Sequence, residues 1–380
     1  MKNFIFQNTT KLVFGKGQIA ALSTLIPHDK KLMVTFGGGS VKKNGIYDQV
    51  KTALKDHNYI EFWGIEPNPT IETLRKAIAI GKEKGVDFLL AVGGGSVLDG
   101  TKLIAAGICY EGDAWEIVLK NQVEKSLPFA SVMTLPATGS EMNRNAVISC
   151  TETQEKYGFE NQYPEFSILD PEATYSLPPN QIANALADIF VHIMEQYMTV
   201  PGQSRIMDRW AEGLLLTLFE IAPQIKENQH DYDLMADFML SATLALNDFI
   251  RMGITQDWAT HTIGHELTAL HGIAHGASLA IVLNGTLRVL KEQKRGKLLQ
   301  YAERVLHITE GTEDECIEKA LAQTESFFRS LGLATHLSEL GIGEETINEV
   351  SRRFNKAGVA CGENQNVTGD VAKEILLSCR

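Results

Sequence analysis

The segment DFLLAVGGGSVLDGTKLIAAGIC, residues 87–109, decides which fold the chain can adopt. Its short apolar run meets three glycines and continues directly into a pattern typical of a helix. Two other apolar runs end in small residues in the same way, KLMVTFGGGS at 31–40 and FASVMTLPATGSE at 129–141. Segments with helical periodicity separate these runs, so the sequence predicts βαβ units and a largely parallel sheet in an α/β fold.

The second half of the chain has a different pattern. After Pro178 and Pro179, segments with helical periodicity follow one another with few strand signals. They include IANALADIFVHIMEQYM, RIMDRWAEGLLLTLFEIAPQI and YDLMADFMLSATLALNDFI. We therefore predict an α/β domain over residues 1–178 and an all-helical domain over residues 179–380.

Composition and charge exclude several classes of function. The 380 residues are 44% apolar and 22% charged, and the formal net charge is −12. Such a charge repels phosphate backbones, so we expect no nucleic-acid partner. No apolar run reaches the ~18 residues of a membrane span, and we expect neither a membrane segment nor a signal peptide. Five scattered cysteines without a C-x-x-C pair suit reduced thiols, which favours a cytoplasmic protein.

The glycines at 93–95 suit a bound dinucleotide. Gly94 and Gly95 let a ligand approach the backbone, free N–H groups at the next helix start can bind a pyrophosphate, and Ser96 adds a hydroxyl. Asp99 does not favour a phosphate, so it either orients the loop or accepts hydrogen bonds from a nicotinamide amide or a sugar. The pattern is not G-x-G-x-x-G, and a tight strand-to-helix turn without a ligand is the alternative.

The loop at 37–40 bears on which cofactor binds. Enzymes that prefer NAD often carry an acidic residue at such a strand end, and this chain has none there. The loop offers instead the amides of Gly37, Gly38 and Gly39 and the hydroxyl of Ser40, with Lys42 and Lys43 close by. This set suits a 2′-phosphate, so we predict NADP(H). The alternative is that the two lysines are ordinary surface charges.

A third loop, TLPATGSE at 134–141, adds hydroxyl groups at Thr134, Thr138 and Ser140. Ligands of parallel sheets bind beyond the carboxyl ends of the strands, where all three loops are predicted to lie. One extended ligand would explain the small and hydroxyl-bearing residues of all three.

Four of the ten histidines fall in HTIGHELTALHGIAH, residues 261–275. Histidine binds metals, moves protons near neutral pH, or forms buried hydrogen bonds. The H-E-x-x-H protease motif is absent, because Leu267, Thr268 and Ala269 follow His265-Glu266. The rest of the sequence is therefore needed to decide which of these roles the segment has.

ALADIFVHIMEQY supplies a carboxylate and an imidazole, because Asp188 and His192 are four residues apart and share one helix face. A structural Asp–His hydrogen bond is the alternative for this pair. With His261 and His275, the two residues would give one carboxylate and three imidazoles, a set that suits Zn²⁺ or Fe²⁺ and leaves room for a substrate oxygen. His265 and His271 would then support the ligands or transfer protons.

Taken together, GGGSVLDGTK, TLPATGSE, ADIFVHIMEQY and HTIGHELTALHGIAHG resemble the iron-containing, or group III, alcohol dehydrogenase family. The similarity covers essentially the whole chain and is strongest to the family's bacterial NADPH-dependent aldehyde reductase and butanol dehydrogenase subgroup. It implies a Rossmann-like N-terminal domain and an all-helical C-terminal domain, an architecture like that of dehydroquinate synthase. It also implies hydride transfer between NADP(H) and a primary alcohol/aldehyde pair, in a protein that is often a homodimer.

The resemblance also assigns residues. It implies that the metal ligands are Asp188, His192, His261 and His275. It places the cofactor diphosphate at Gly94, Gly95 and Ser96, the 2′-phosphate near Gly38, Gly39 and Ser40, and Asp99, Thr138 and Lys156 near the rest of the cofactor. His265 matches a histidine beside the metal, and we expect His265, a water or the cofactor ribose to transfer the proton. Many relatives have a longer T-A-G-T-G-S-E loop where this chain has ATGSE, which bears on the assignment of Thr138.

A metal-dependent lyase or hydrolase on the same architecture is the alternative function, since one fold supports several chemistries. Such an enzyme, acting on a phosphorylated or acidic substrate, would need basic residues near the metal. The sequence offers few candidates, which are Lys156, Arg144 and Arg251.

Overall fold

The computed structural model describes residues 1–380 and contains two compact units. The first, here called the α/β unit, consists of Gln7–Leu177 and Asn228–Thr243. The second, the helical unit, consists of Met1–Phe6, Pro178–Glu227 and Leu244–Arg380. The division therefore differs from a single boundary at residue 178. Met1–Phe6 belongs to the helical unit, and Asn228–Thr243 belongs to the α/β unit.

Eight strands belong to the α/β unit. They are β1 (Lys11–Phe14), β2 (Lys31–Phe36), β3 (Asn58–Phe62), β4 (Phe88–Gly94), β5 (Phe129–Leu135), β6 (Asn145–Cys150), β7 (Glu155–Glu160) and β8 (Phe166–Leu169). Six of them form a parallel sheet in the order β1-β8-β5-β4-β2-β3, which confirms the predicted α/β class. The antiparallel hairpin β6-β7 was not predicted, because its turn at 151–154, TETQ, lacks the glycine, proline or asparagine that signals a hairpin.

The first half of the chain also contains six α-helices. They are α1 (Leu22–Leu25), α2 (Ser40–Lys43), α3 (Ile46–Ala53), α4 (Ile71–Lys84), α5 (Gly95–Cys109) and α6 (Ala114–Lys120). Strand β4 is buried on both faces, as parallel strands between helical layers usually are. Its side chains alternate, since Leu89 packs into one hydrophobic core and Leu90 and Val92 pack into the other.

The second half of the chain is helical, as predicted. Its helices are α7 (Pro179–Tyr197), α8 (Arg205–Glu227), α9 (Tyr232–Ala245), α10 (Ala259–His271), α11 (His275–Val289), α12 (Lys291–Arg304), α13 (Glu313–Ser330), α14 (Glu344–Ala357) and α15 (Gly369–Ser378). No helix combines the length and the apolar character that crossing a membrane would require.

Helix α9 packs with the α/β unit over most of its length, although the sequence division assigns it to the helical domain. The side-chain amide of Gln229, just before the helix, donates hydrogen bonds to the carbonyls of Thr174, Tyr175 and Leu177. Met239 is fully buried in one core of the α/β unit. Helical periodicity shows that a helix forms, but does not show which neighbour covers its apolar face.

Candidate metal centre and cofactor-binding loops

Helix α7 brings three ionisable side chains onto one face. Asp188, His192 and Glu195 follow the i, i+4, i+7 spacing, and each is at most 4% exposed. Apolar residues surround them, and every position from 185 to 199 is buried. Buried carboxylates and imidazoles require compensating partners, so this face must meet polar groups from other helices.

Helices α10 and α11 supply these groups. His261 lies in the first turn of α10, and His275 is the first residue of α11. The chain turns between them after Gly272, whose left-handed φ of 66° ends α10. Gly276 allows α11 to approach α7, because a Cβ atom there would lie only 2.1 Å from the carbonyl oxygen of Asn184.

The imidazole nitrogens converge on one carboxylate oxygen. The Nε2 atoms of His192, His261 and His275 lie 3.4, 3.6 and 3.8 Å from Asp188 Oδ1. The ligand atoms of Asp188, His261 and His275 are all within 4.8 Å of one another. Tetrahedral bonds of about 2.0–2.1 Å would hold neighbouring ligand atoms about 3.3–3.4 Å apart, which is close to the distances of the three Nε2 atoms from Asp188 Oδ1.

The residues therefore fit a divalent cation in chemistry and in spacing. His261 gives a further indication, because its buried Nε2 has no hydrogen-bond partner. Its Nδ1 bonds the carboxylate of Glu195 instead. Burial tends to lower the pKa of His261, but the negative charges of Glu195 and Asp188 outweigh burial and raise it to about 9. A cation between these groups would balance the same negative charge.

The two remaining histidines of the 261–275 segment lie in different surroundings. The ring of His265 is 6.2 Å from that of His261 and 5.1 Å from that of His275, so it borders the cluster. His271 is exposed, and its Nε2 forms a 2.9 Å hydrogen bond with Thr346 Oγ1. Of the two residues considered for support or proton transfer, the structure brings only His265 next to the cluster.

The three predicted loops follow neighbouring strands of the parallel sheet. Strand β4 pairs with β2 on one side and β5 on the other, so the glycines at 37–39, the glycines at 93–95 and the loop after Leu135 lie at the same edge. Gly95 touches the third loop closely, because a Cβ atom there would lie 2.3 Å from Thr138 Oγ1. Helix α5 begins at this glycine, so its first N–H groups face the same edge.

Asp99 and Ser140 belong to one buried hydrogen-bond network. Ser140 Oγ donates to Asp99 Oδ1 at 2.7 Å, and the Val147 N–H donates to Asp99 Oδ2 at 3.0 Å. Burial raises the pKa of Asp99 above its ordinary value, against the opposing charge of Lys102. Both carboxylate oxygens are engaged by the chain itself, which favours the loop-orienting role among the two considered for Asp99.

Lys102 lies at the centre of this network and is completely buried. Its ammonium group donates to Ser140 O and Oγ, Asn143 O and Oδ1, and Asn145 O, at 2.7–3.1 Å. The same cation therefore holds the turn at 140–145 and offsets the charge of Asp99. Sequence reasoning missed it, although its position one helical turn after Asp99 was a usable signal.

The two lysines that follow the loop at 37–40 have different surroundings. Gly39 has a left-handed φ of 97°, and Gly38 and Gly39 have open space where a Cβ would project. Lys42 Nζ lies 3.9 Å from the ring centroid of Trp63, whereas no such contact occurs for Lys43. Trp63 in turn stacks on Phe36 at the end of β2.

Lys156 lies on β7 and is 8% exposed. Its ammonium group donates to Asn68 Oδ1 at 2.9 Å, and its charge weakly opposes the rise in the pKa of Asp99 that burial causes. Asn68 has a left-handed φ of 54°, between two prolines. Lys156 therefore has a defined position beside the Asp99 network.

Comparison with known proteins gives one family for both halves of the chain. The family described as iron-containing alcohol dehydrogenase matches residues 9–171, and the C-terminal region of the Fe-containing alcohol dehydrogenase family matches residues 182–378.

Individual relatives match over nearly the full length. The chain is 49% identical to the NADPH-dependent aldehyde reductase YqhD of Escherichia coli, with 100% of both chains covered. It is 40% identical to the probable NADH-dependent butanol dehydrogenase 1 of Bacillus subtilis, over 92% of this chain and 93% of the relative. The crystal structure of E. coli YqhD superimposes with a TM-score of 0.98 over 100% of this chain and 99% of that one.

Proposed function

Because the chain belongs to the iron-containing alcohol dehydrogenase family and is therefore an oxidoreductase, we propose that it reduces aldehydes to primary alcohols with NADPH and a divalent metal. The observation that carries the proposal is the convergence of three imidazole nitrogens on Asp188 Oδ1. Oxidation of the alcohol is the reverse of the same reaction.

In the proposed site, Asp188, His192, His261 and His275 hold one divalent metal, and the chemistry of these donors suits both Zn²⁺ and Fe²⁺. Bound there, the cation supplies Lewis-acid polarisation of a carbonyl oxygen, and the nicotinamide supplies the hydride. The residues themselves place one carboxylate and three imidazoles around a buried position. His265, at the border of the cluster, transfers the proton that completes the alcohol.

For the cofactor, we propose that the amides of Gly94, Gly95 and Ser96 bind the diphosphate. Asp99 and Ser140 keep the neighbouring turn in shape through their hydrogen bond. Thr138 and Lys156 contact the cofactor from the two segments beside that turn.

NADPH is favoured over NADH by the loop at 37–40. Relatives named for NADPH or NADP are 49% and 42% identical to this chain and one named for NADH is 40% identical, so we base the cofactor preference on the residues of the loop. Gly37, Gly38, Gly39 and Ser40 present amides and a hydroxyl without a carboxylate, and the loop is exposed at Gly38 and Ser40. A carboxylate at this position would repel a 2′-phosphate, and its absence removes that repulsion.

A label in the transferred hydride tests the reaction directly. The enzyme is incubated with butanal and NADPH carrying deuterium at either face of C4, and the butanol is analysed by mass spectrometry. One cofactor isomer is expected to give butanol with a single deuterium on C1, in equal amount to the NADP⁺ formed. Conversion of butanal to another product without NADPH oxidation would instead support the lyase or hydrolase alternative.

The homodimer and the cytoplasmic location stay predictions. The N-terminal segment exposes apolar side chains, with Ile5 98% and Phe4 49% exposed, which a second copy of the chain could cover. Light scattering coupled to size-exclusion chromatography measures the mass of the assembly, and a monomer at micromolar concentration would contradict the dimer.

A further inference from the structure

Helix α10 begins in an unusual way. Its N-cap residue is Trp258, which has a left-handed φ of 67° and provides no side-chain cap. Bulky residues rarely adopt positive φ, and the first N–H groups of a helix need acceptors from elsewhere. The Ala259 N–H donates to Asp257 Oδ1 at 2.8 Å, which satisfies the first of them.

Glu195 satisfies the next two. Its Oε1 accepts the Thr260 N–H at 2.6 Å, and its Oε2 accepts the His261 N–H at 3.2 Å. Glu195 lies on α7, so one helix caps another within the helical unit. A carboxylate at this position also interacts favourably with the positive end of the α10 dipole.

The same carboxylate holds the ring of His261. Oε2 of Glu195 bonds His261 Nδ1, while His261 Nε2 faces Asp188 Oδ1 at 3.6 Å. In the neutral imidazole, a ring nitrogen that donates to a carboxylate leaves the other nitrogen with its lone pair available, so the bond selects the tautomer that can bind a metal through Nε2. Backbone and side chain of His261 are thus fixed by one residue.

A second group of buried residues supports the same turn. Lys294 is 2% exposed, and its Nζ donates to Asp257 Oδ2 at 2.6 Å, to Met198 O at 2.8 Å and to Glu363. The Asp257 N–H donates to the carbonyl oxygen of Glu195 at 2.9 Å. The turn before α10 is therefore held from both sides.

We propose that Glu195 is a positioning residue of the metal site, which caps α10 and orients the imidazole of His261 without binding the metal itself. The proposal rests on the metal site of the proposed function. It adds that metal affinity depends on a carboxylate outside the set of four ligands.

The test compares Glu195→Gln with Glu212→Gln in the full chain. Glu212 is a matched control, because it is also a 3% exposed glutamate of the helical unit, but it bonds Tyr197, Gln300 and Arg304 instead of a histidine. Zn²⁺ affinity is measured by competition with a chromophoric chelator. Removing such a supporting group typically weakens binding about 10–100-fold, so E195Q is expected to lose this amount and E212Q to keep the wild-type affinity.

Two further measurements separate positioning from general damage. Proton NMR of the wild-type protein is expected to show a strongly downfield imidazole N–H signal, which disappears in E195Q and remains in E212Q. In a His261→Ala background, E195Q is expected to cause little additional loss of Zn²⁺ affinity, because the two residues act as one unit. Should E195Q not fold, Glu195→Asp retains the charge and is expected to weaken Zn²⁺ binding by drawing the carboxylate away from the ring.

The results distinguish this inference from the proposed function. Zn²⁺ affinity within twofold of wild type in E195Q, or in E195D if that variant is used, would overturn the positioning role alone. Equal losses in E195Q and E212Q would also overturn it. A wild-type protein that binds neither Zn²⁺ nor Fe²⁺ would overturn the metal site and, with it, the proposed function.

Discussion

Replacing Lys102 with methionine removes the cation that organises the loop at 140–145. Methionine has a similar length and fits an apolar space, so the change isolates the ammonium group. In the wild-type protein this group satisfies five oxygen atoms, from Ser140, Asn143 and Asn145, within 3.1 Å. It also offsets the buried charge of Asp99.

The expected cost follows from these contacts. Hydrogen bonds to a charged group contribute about 1.5–3 kcal/mol each, but adjacent acceptors are not additive and some regain partners when the loop relaxes. Removing one partner from a buried charged network generally costs about 3–5 kcal/mol, which we expect for K102M. The relaxed loop is also expected to weaken NADPH binding by at least about tenfold, equivalent to 1.4 kcal/mol.

Denaturant unfolding gives the change in stability, and NADPH fluorescence gives the dissociation constant. Lys297→Met is the control, because Lys297 is also 2% exposed and bonds a carboxylate, that of Asp208, in the helical unit. It is expected to lower stability without weakening NADPH binding. A K102M protein with wild-type stability and NADPH affinity would refute the role given to this network.

Three other changes have defined outcomes. Lys42→Ala should lower the preference for NADPH over NADH in kcat/KM by about tenfold, whereas Lys43→Ala should not, because only Lys42 is held against Trp63 beside the loop; equal effects would contradict this reading. Burial and a hydrogen bond that its protonated carboxyl donates to Asp257 raise the pKa of Glu363 to about 7 from an ordinary value of 4.5. The stability it contributes is therefore full below about pH 4.5 and lost as the pH rises through about 7, so wild type should lose stability relative to Glu363→Gln between about pH 5 and 8 in urea titrations. Gly276→Ala should cost about 1–3 kcal/mol and weaken metal retention, because its Cβ would overlap a carbonyl of α7, and unchanged metal content would speak against that close approach.

Much of the fold could be predicted from local pattern. The strand at 31–36 covers the apolar part of the run quoted at 31–40, and Thr70 caps α4 by accepting the Thr73 N–H. Apolar periodicity and capping chemistry act over a few residues, so the sequence displays them directly. The packing of α9 with the α/β unit could not be predicted, since it depends on which distant surface covers an apolar face.

Some residues of the candidate site could likewise be predicted from local spacing, and others could not. Asp188 and His192 share a helix face, and their spacing was enough to pair them. Glu195 lies one helical turn further along the same face of α7, so the same spacing was enough to predict it. Lys102 is different, because its spacing from Asp99 was the one local signal, whereas its partners are mostly backbone carbonyls about 40 residues away.

The most direct test of the account is the metal dependence of NADPH consumption with butanal. The protein is stripped with a chelator, dialysed, and assayed before and after one equivalent of Zn²⁺ or Fe²⁺, alongside Asp188→Asn treated identically. Activity of the wild-type protein is expected to disappear on stripping and to return with one bound metal per chain. The variant is expected to remain inactive with either metal. Full activity in demonstrably metal-free protein, or in D188N, would contradict it.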